Sequence, residues 1–191
     1  MNQHQVQPVI YWHEVASIIG PLLLTGTDAA LTGVYFQAGP RPVRPPAYWV
    51  QRAAPFTEAR RQLQEYFGGE RQVFDLALAP AGTPFQLAVW RALQGIGYGR
   101  TTSYGQLARE LGHAQGARAV GLANGSNPLP VIIPCHRVIG ADGSLTGFGG
   151  GLQIKRALLQ LEGAACVTDL FSMRVSAAGP VPPHSAGTSD G

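Results

Sequence analysis

The sequence predicts an α+β chain in two parts, a small sheet-and-helix unit followed by a mainly helical unit with a helix-turn-helix, on three observations. Residues 9–37 alternate short apolar stretches with turn signals at Gly20-Pro21, Thr27-Asp28 and Gly33, the pattern of a strand meander. From Pro55 to Phe67, the residues Phe56, Ala59, Leu63, Tyr66 and Phe67 recur at helical spacing until Gly68-Gly69 stops the run. Pro80-Ala81-Gly82-Thr83-Pro84 then changes the character of the chain, and helical periodicity dominates beyond it.

The remaining elements follow in order. Gly39 to Pro46 holds four prolines and reads as a surface loop. Val73 to Leu78 suggests one more strand, closing a unit over residues 1–80 in which nothing looks catalytic and whose expected job is support. Thr83 is placed to cap a helix whose apolar face is Phe85, Val89, Trp90 and Leu93. Thr102 or Ser103 can cap a short helix ending near Leu111-Gly112, and Ala117 to Ala123 suggests a second after a tight turn; together they suggest a helix-turn-helix, a pattern that plain helical hairpins share. Gly151 to Leu161 reads as a last amphipathic helix with Leu152, Ala157, Leu158 and Leu161 toward the core, completing a second unit over residues 81–163. Residues 164–191 drift into Ala, Gly, Pro and Ser, the composition of a flexible tail.

Composition narrows the function classes. The longest apolar stretches, such as Leu22-Leu23-Leu24 and Val131-Ile132-Ile133, are far shorter than the roughly 20 residues of a membrane helix. The N-terminus opens on Asn2-Gln3-His4-Gln5, without a basic region and apolar core, so the expected compartment is the cytoplasm. Cys135 and Cys166 are expected as free thiols in a reducing setting. His4, His13, His113 and His184 form no ligand-spaced cluster, and neither a metal nor a cofactor is expected. The net charge of +3 is unevenly spread: residues 81–162 hold six arginines and Lys155 against Glu110, Asp142 and Glu162. A compact basic segment of this kind is the footprint of a phosphate-binding surface, or of an ordinary solvated face.

The chemistry centres on Pro134-Cys135-His136-Arg137-Val138, which joins a thiol to an imidazole directly behind an apolar run. A free thiol titrates near 8.5 and an apolar setting raises it, so a reactive cysteine needs a base or a positive charge beside it. His136 and Arg137 can supply both; a buried, inert cysteine is the alternative reading of the same residues. Consecutive residues in a turn point in different directions, so Cys135 and His136 are expected to communicate through a water.

Around this pentapeptide lie Asn127-Pro128-Leu129-Pro130, the glycine-rich stretch Leu145 to Gly151, Ser103-Tyr104-Gly105-Gln106-Leu107-Ala108 and Ala117-Arg118-Ala119-Val120-Gly121. In this order and spacing, from about Phe85 to Glu162, the chain closely resembles the O6-alkylguanine-DNA alkyltransferases; a weaker likeness runs from Ile19 to Phe36. The resemblance implies a ribonuclease-H-like first unit and a winged-helix-like second one. It implies a monomer without an obligate protein partner, acting on double-stranded DNA that contains O6-alkylguanine and, less well, O4-alkylthymine. Cys135 would take the alkyl group irreversibly, once per molecule, with His136 as base, Glu162 as its orienting carboxylate, Tyr104 as proton donor to the leaving base and Asn127 stabilising the turn before the active-site strand. Arg118 corresponds to the finger that fills the gap left by the extruded nucleotide, in a helix lying in the minor groove; Ala117, Ala119, Ser103 and Arg137 are the accompanying expected DNA contacts. Val138, Phe148, Gly149 and Pro130 would form the base pocket, with the Cys135 and Val138 carbonyls holding the exocyclic amine.

Two departures stand out. Position 148 is Phe where the family usually has Tyr, which keeps a stacking wall and loses a hydroxyl; Gly97 stands where many members carry proline, which is expected to loosen that loop. Three rivals of other classes are a damage sensor of the same fold, which lacks the acceptor cysteine, a cysteine hydrolase, which needs an oxyanion hole and turns over, and a helix-turn-helix regulator, which needs sequence-selective binding to intact DNA.

Overall fold

The computed structural model describes residues 9–164. Three antiparallel strands open it: β1 (Tyr11–Val15), β2 (Leu22–Gly26) and β3 (Leu31–Phe36). β2 lies between its neighbours and is buried along its whole length, so its unbroken Leu22-Leu23-Leu24 run suits a central strand. A short fourth strand, β4 (Val50–Gln51), pairs parallel with β1 on the outer edge, giving the order β3-β2-β1-β4. No sequence signal marked β4, because two exposed residues carry no periodicity.

Helix α1 (Thr57–Phe67) follows a single 3-10 turn at Ala54–Phe56 and buries Ala59, Gln62, Leu63 and Tyr66. The expected strand at Val73–Leu78 is not one. Only Leu78 bridges to the sheet, at Leu31, and the backbone of Asp75 is engaged instead by the Gln62 side chain, which accepts from Asp75 N at 2.8 Å and donates to Asp75 O at 2.7 Å. A buried amide on α1 thus takes the hydrogen bonds a strand partner would have satisfied.

Helix α2 (Pro84–Gln94) begins with a full capping box: Thr83 Oγ1 accepts from Gln86 N and Gln86 Oε1 accepts from Thr83 N. Its Val89, Trp90 and Leu93 are fully buried, and the Trp90 indole donates to Ala123 O at 2.8 Å. Strand β5 (Thr102–Ser103) leads into α3 (Tyr104–Glu110), with Ser103 as its cap, and α4 (Ala117–Gly125) packs on α3 and α2. Strand β6 (Val138–Ile139) pairs parallel with β5. Helix α5 (Leu152–Leu161) closes the described chain.

On α5 the buried face is Lys155, Leu158, Leu159 and Glu162, whereas Leu152 is 46% exposed, contrary to expectation. The first turn of the helix overhangs the core edge, and Leu152 lines a surface groove with Ile18 and Pro40 instead. One apolar cluster runs from the sheet through α1, α2, α3 and α4 to Leu158, so both parts of the chain share a core. The expected flexible tail begins at Ala164, which is buried against Ile139 and Leu159; the rest of it, with Cys166, lies outside the described residues. No helix among the described residues is long and apolar enough to cross a membrane.

Candidate active site

Asn127 organises the approach to the reactive segment. Its side chain accepts from Leu129 N at 3.0 Å and donates to Ile133 O at 2.8 Å, while Ile133 N donates to Leu129 O at 2.8 Å. Residues 129–133 therefore form a closed turn. Val131 takes a φ of 75° within it, the left-handed region that a β-branched residue rarely enters. The chain leaves this turn through Pro134 into one 3-10 turn, Cys135–Arg137, all three residues of which are buried.

The turn splits the two neighbours as expected. Cys135 faces a cavity of about 230 Å³ also lined by Asn124, Asn127, Pro130, Gly147, Phe148 and Gly149. His136 points the other way, its Nε2 2.8 Å from Glu162 Oε1, and its Nδ1 is buried without a hydrogen-bond partner. Among the described residues no direct hydrogen bond joins Cys135 to His136. The unpartnered Nδ1 suits a relay through an intervening group.

Glu162 sits just past the last turn of α5 and is 5% exposed. Arg137 grips it with two bonds, Nε to Oε2 and Nη2 to Oε1, each 2.9 Å; Tyr66 donates its hydroxyl to Oε1 at 2.7 Å and Gly99 N donates to Oε2 at 3.3 Å. Burial pushes the Glu162 carboxyl up, but donors from His136, Arg137 and Tyr66 outweigh it and hold the group down at about 2. Burial lowers the His136 pKa more than Glu162 raises it, so the imidazole is a neutral base at pH 7. The Cys135 thiol is pushed up to about 11 by burial, opposed by a bond from Asn127 and by the charge of Lys155. At neutral pH it therefore rests as a thiol.

Lys155 was not foreseen. It is wholly buried, donates to Val138 O at 2.7 Å and Thr146 O at 2.9 Å, and is brought down to about 8 by burial, so it stays charged at neutral pH. It ties the glycine-rich loop to β6 and places a cation near the thiol. The available signal was its spacing: 155, 158, 159 and 162 share one helix face, and 155 is the chain's single lysine.

The sheet also enters the site. Val34, Tyr35, Phe36 and Arg41 line the cavity wall opposite the turn, so the first unit does more than support. No group of three or more His, Cys, Asp or Glu able to hold a metal occurs among the described residues.

Comparison with known proteins decides the family. The sequence model of the 6-O-methylguanine DNA methyltransferase ribonuclease-like domain matches residues 10–80, and that of the DNA binding domain of the same proteins matches residues 84–164. A relative named methylated-DNA–protein-cysteine methyltransferase, from Methanosarcina acetivorans, is 50% identical over 155 residues, covering 81% of this chain and 99% of its own. The chain belongs to the 6-O-methylguanine DNA methyltransferase family. A protein of the same name from Mycobacterium tuberculosis is 47% identical, covering 85% of this chain and 98% of its own. The crystal structure of Mycobacterium tuberculosis OGT in complex with DNA superimposes with a TM-score of 0.75 at 46% identity, covering 84% of this chain and 99% of that one. The α+β fold, with a ribonuclease-like first part and a DNA-binding second part, is that of the methyltransferases.

Within this methyltransferase, the other residues singled out in the sequence fall into three places. Cys135, Asn127, Pro130, Phe148 and Gly149 share the cavity. Tyr104 opens α3 half-buried, its hydroxyl accepting from Thr146 Oγ1 at 3.4 Å and its pKa raised by burial; Val138 is fully buried with its carbonyl on Lys155, and neither residue lines the cavity. Arg118 and Ala119 are exposed on α4 beside the half-buried Ala117, and Ser103 spends its hydroxyl on Gln106 N as the α3 cap. Arg137 is a correction: 6% exposed, with its guanidinium on Glu162 and the carbonyl of Ile96, it faces inward and has no surface from which to touch DNA. Gly97, expected to loosen its loop, lies in a turn closed by Arg100 N on Gly97 O at 3.1 Å.

Proposed function

We propose that this protein repairs DNA by moving the alkyl group of O6-alkylguanine, and less readily of O4-alkylthymine, onto Cys135 in a single irreversible turnover. The observation that carries this reading is a buried thiol on a cavity wall whose sequence neighbour is a neutral histidine anchored to an ionised, fully hydrogen-bonded carboxylate. A thiolate displaces well at saturated carbon when the leaving oxygen departs as a stabilised anion.

The Cys135 proton passes toward His136 Nδ1 as sulfur approaches carbon, and the imidazolium that forms is stabilised by Glu162. The S–C bond forms as the C–O6 bond breaks, and the electron pair stays on the purine. Tyr104 gives a proton to the ring, so the base leaves as neutral guanine, and the tyrosine is re-protonated from the relay. The product thioether has no bond for water to cleave, which limits each molecule to one event.

Reaching the lesion requires extruding its nucleotide at a cost of about a few kcal/mol. Arg118, exposed on α4, is the side chain we assign to the vacated stack, with Ala117 and Ala119 allowing the helix close to the minor groove. Residues 1–80 and 81–163 act as wall and reactive unit respectively, in the cytoplasm and as a monomer. Incubation with O6-methylguanine duplex should add one methyl group to the peptide holding Cys135 and stop there. Uptake beyond one equivalent, or a methyl on any other residue, would refute the reading.

A further inference from the structure

We propose that Tyr66, from helix α1 in the first part of the chain, is a positioning residue that sets the strength of the His136 base through the carboxylate they share. The proposal rests on the alkyl-transfer reading above. Tyr66 lies 96 residues before Glu162, is fully buried, and donates its hydroxyl to Glu162 Oε1 at 2.7 Å. That same oxygen is 2.8 Å from His136 Nε2 and takes Arg137 Nη2 at 2.9 Å.

Three donors on one carboxylate oxygen divide its charge. Each bond from Tyr66 lessens the negative potential available to an imidazolium at His136, and each loss of it increases that potential. Tyr66 is well held for such a role. Its ring packs against Phe67 and Phe74, each with centroids 5.3 Å away, and edge-on to Tyr98 at 6.2 Å. Burial and the Glu162 charge push its own pKa upward, so the phenol remains a donor throughout the working range. A phenol with so apolar a ring and so polar a destination marks the hydroxyl as the part that reaches the reaction.

Glu162 and His136 meet other charges on every side. Arg137 holds the carboxylate from the 3-10 turn, Tyr98 reaches Leu161 O from the loop after α2, and Lys155 lies on α5 and opposes protonation of His136. Cys135 carries the proton to be moved. Of these groups Tyr66 alone comes from the first part of the chain, which makes the tuning depend on how that part is docked.

Tyr66→Phe removes one oxygen and leaves the ring. Stronger stabilisation of imidazolium should raise the His136 pKa, so the acid limb of the single-turnover rate against pH should move upward by about one pH unit. The midpoint of the His136 ring-proton shift titration, followed without DNA, should move by the same amount. Phe74→Leu, which loosens the same aromatic cluster without touching the hydroxyl, should lower Tm and leave the limb in place. Should Tyr66→Phe fail to fold, 3-fluorotyrosine at position 66, a stronger donor, should move limb and shift downward. An acid limb and a His136 titration that stay put in whichever of the two variants folds would overturn the proposal, and so would an equal displacement in Phe74→Leu. Methyl uptake at Cys135 in the unmodified protein is read separately, so failure of the transfer reading is distinguishable from failure of this one.

Discussion

Phe36 of β3 and Phe148 of the glycine-rich loop pack as a tilted pair across the two parts of the chain, their ring centroids 5.4 Å apart and inclined at 53°. The Phe36 ring also lies against Gly150, where an added Cβ would come within 2.8 Å of it. Phe36 thereby limits how closely the loop can approach the sheet beside the Cys135 cavity. The cavity wall at Phe148 is therefore backed by a residue of the first sheet.

From this follows an effect on alkyl size. Phe36→Ala should deepen the cavity and raise the preference for benzyl over methyl by about tenfold, the scale on which one or two carbon groups are discriminated in an apolar pocket. It should also cost about 3 kcal/mol of stability as a large-to-small change at a buried aromatic. Competition between O6-methyl and O6-benzylguanine duplexes, with denaturant unfolding alongside, reads both effects.

Gly150→Ala tests the same contact from the loop side. The added methyl collides with an aromatic ring that packing holds in place, so the loop should shift and transfer should slow by about tenfold or more. Combining it with Phe36→Ala should recover most of that loss, because the collision partner is gone. Strict additivity of the two in a double-mutant cycle would show that they do not communicate.

Lys155 makes the site sensitive to alkali. With its pKa at about 8, it is charged at pH 7 and loses its support of the thiolate as pH rises through that value. Single-turnover transfer should therefore decline above about pH 8, although thiol ionisation alone would favour an increase. Lys155→Met should be slower at pH 7 by about tenfold and lack this decline. The same alkaline decline in the variant would remove Lys155 from the chemistry.

Glu162 governs the acid side of stability. Its folded pKa is depressed to about 2 from an ordinary 4.5, so the stability it contributes is fully present above pH 4.5 and is lost as pH falls toward 2. The window corresponds to about 3 kcal/mol, an upper figure given that partners rearrange. Glu162→Gln should be less stable at neutral pH, and its unfolding free energy should vary less between pH 5 and 2 than that of the unmodified protein.

Much of the site was legible because its chemistry is contiguous. Cys135 and His136 are adjacent, Asn127 lies in a local turn eight residues before the cysteine, and Glu162 follows a helix that periodicity locates, its pairing with His136 coming only from the family resemblance. The Arg137 role could not be read this way. A basic residue beside a reactive cysteine looks like a DNA contact until the fold brings Glu162 and the Ile96 carbonyl against it. The strand expected at Val73–Leu78 failed for a related reason, since the local pattern was sound and the hydrogen bonds went to Gln62 on another element.

Taken alone, the order of residues located most of the helices, the strand meander and the adjacent thiol and imidazole on a turn that splits them, because each depends on neighbours within a few positions along the chain. Tertiary packing decided which side chains share the carboxylate, that a lysine of α5 is buried near the thiol, and that the first sheet forms a wall of the cavity. Those relationships join atoms that only a shared apolar core brings within bonding distance, and no periodicity in one dimension encodes them.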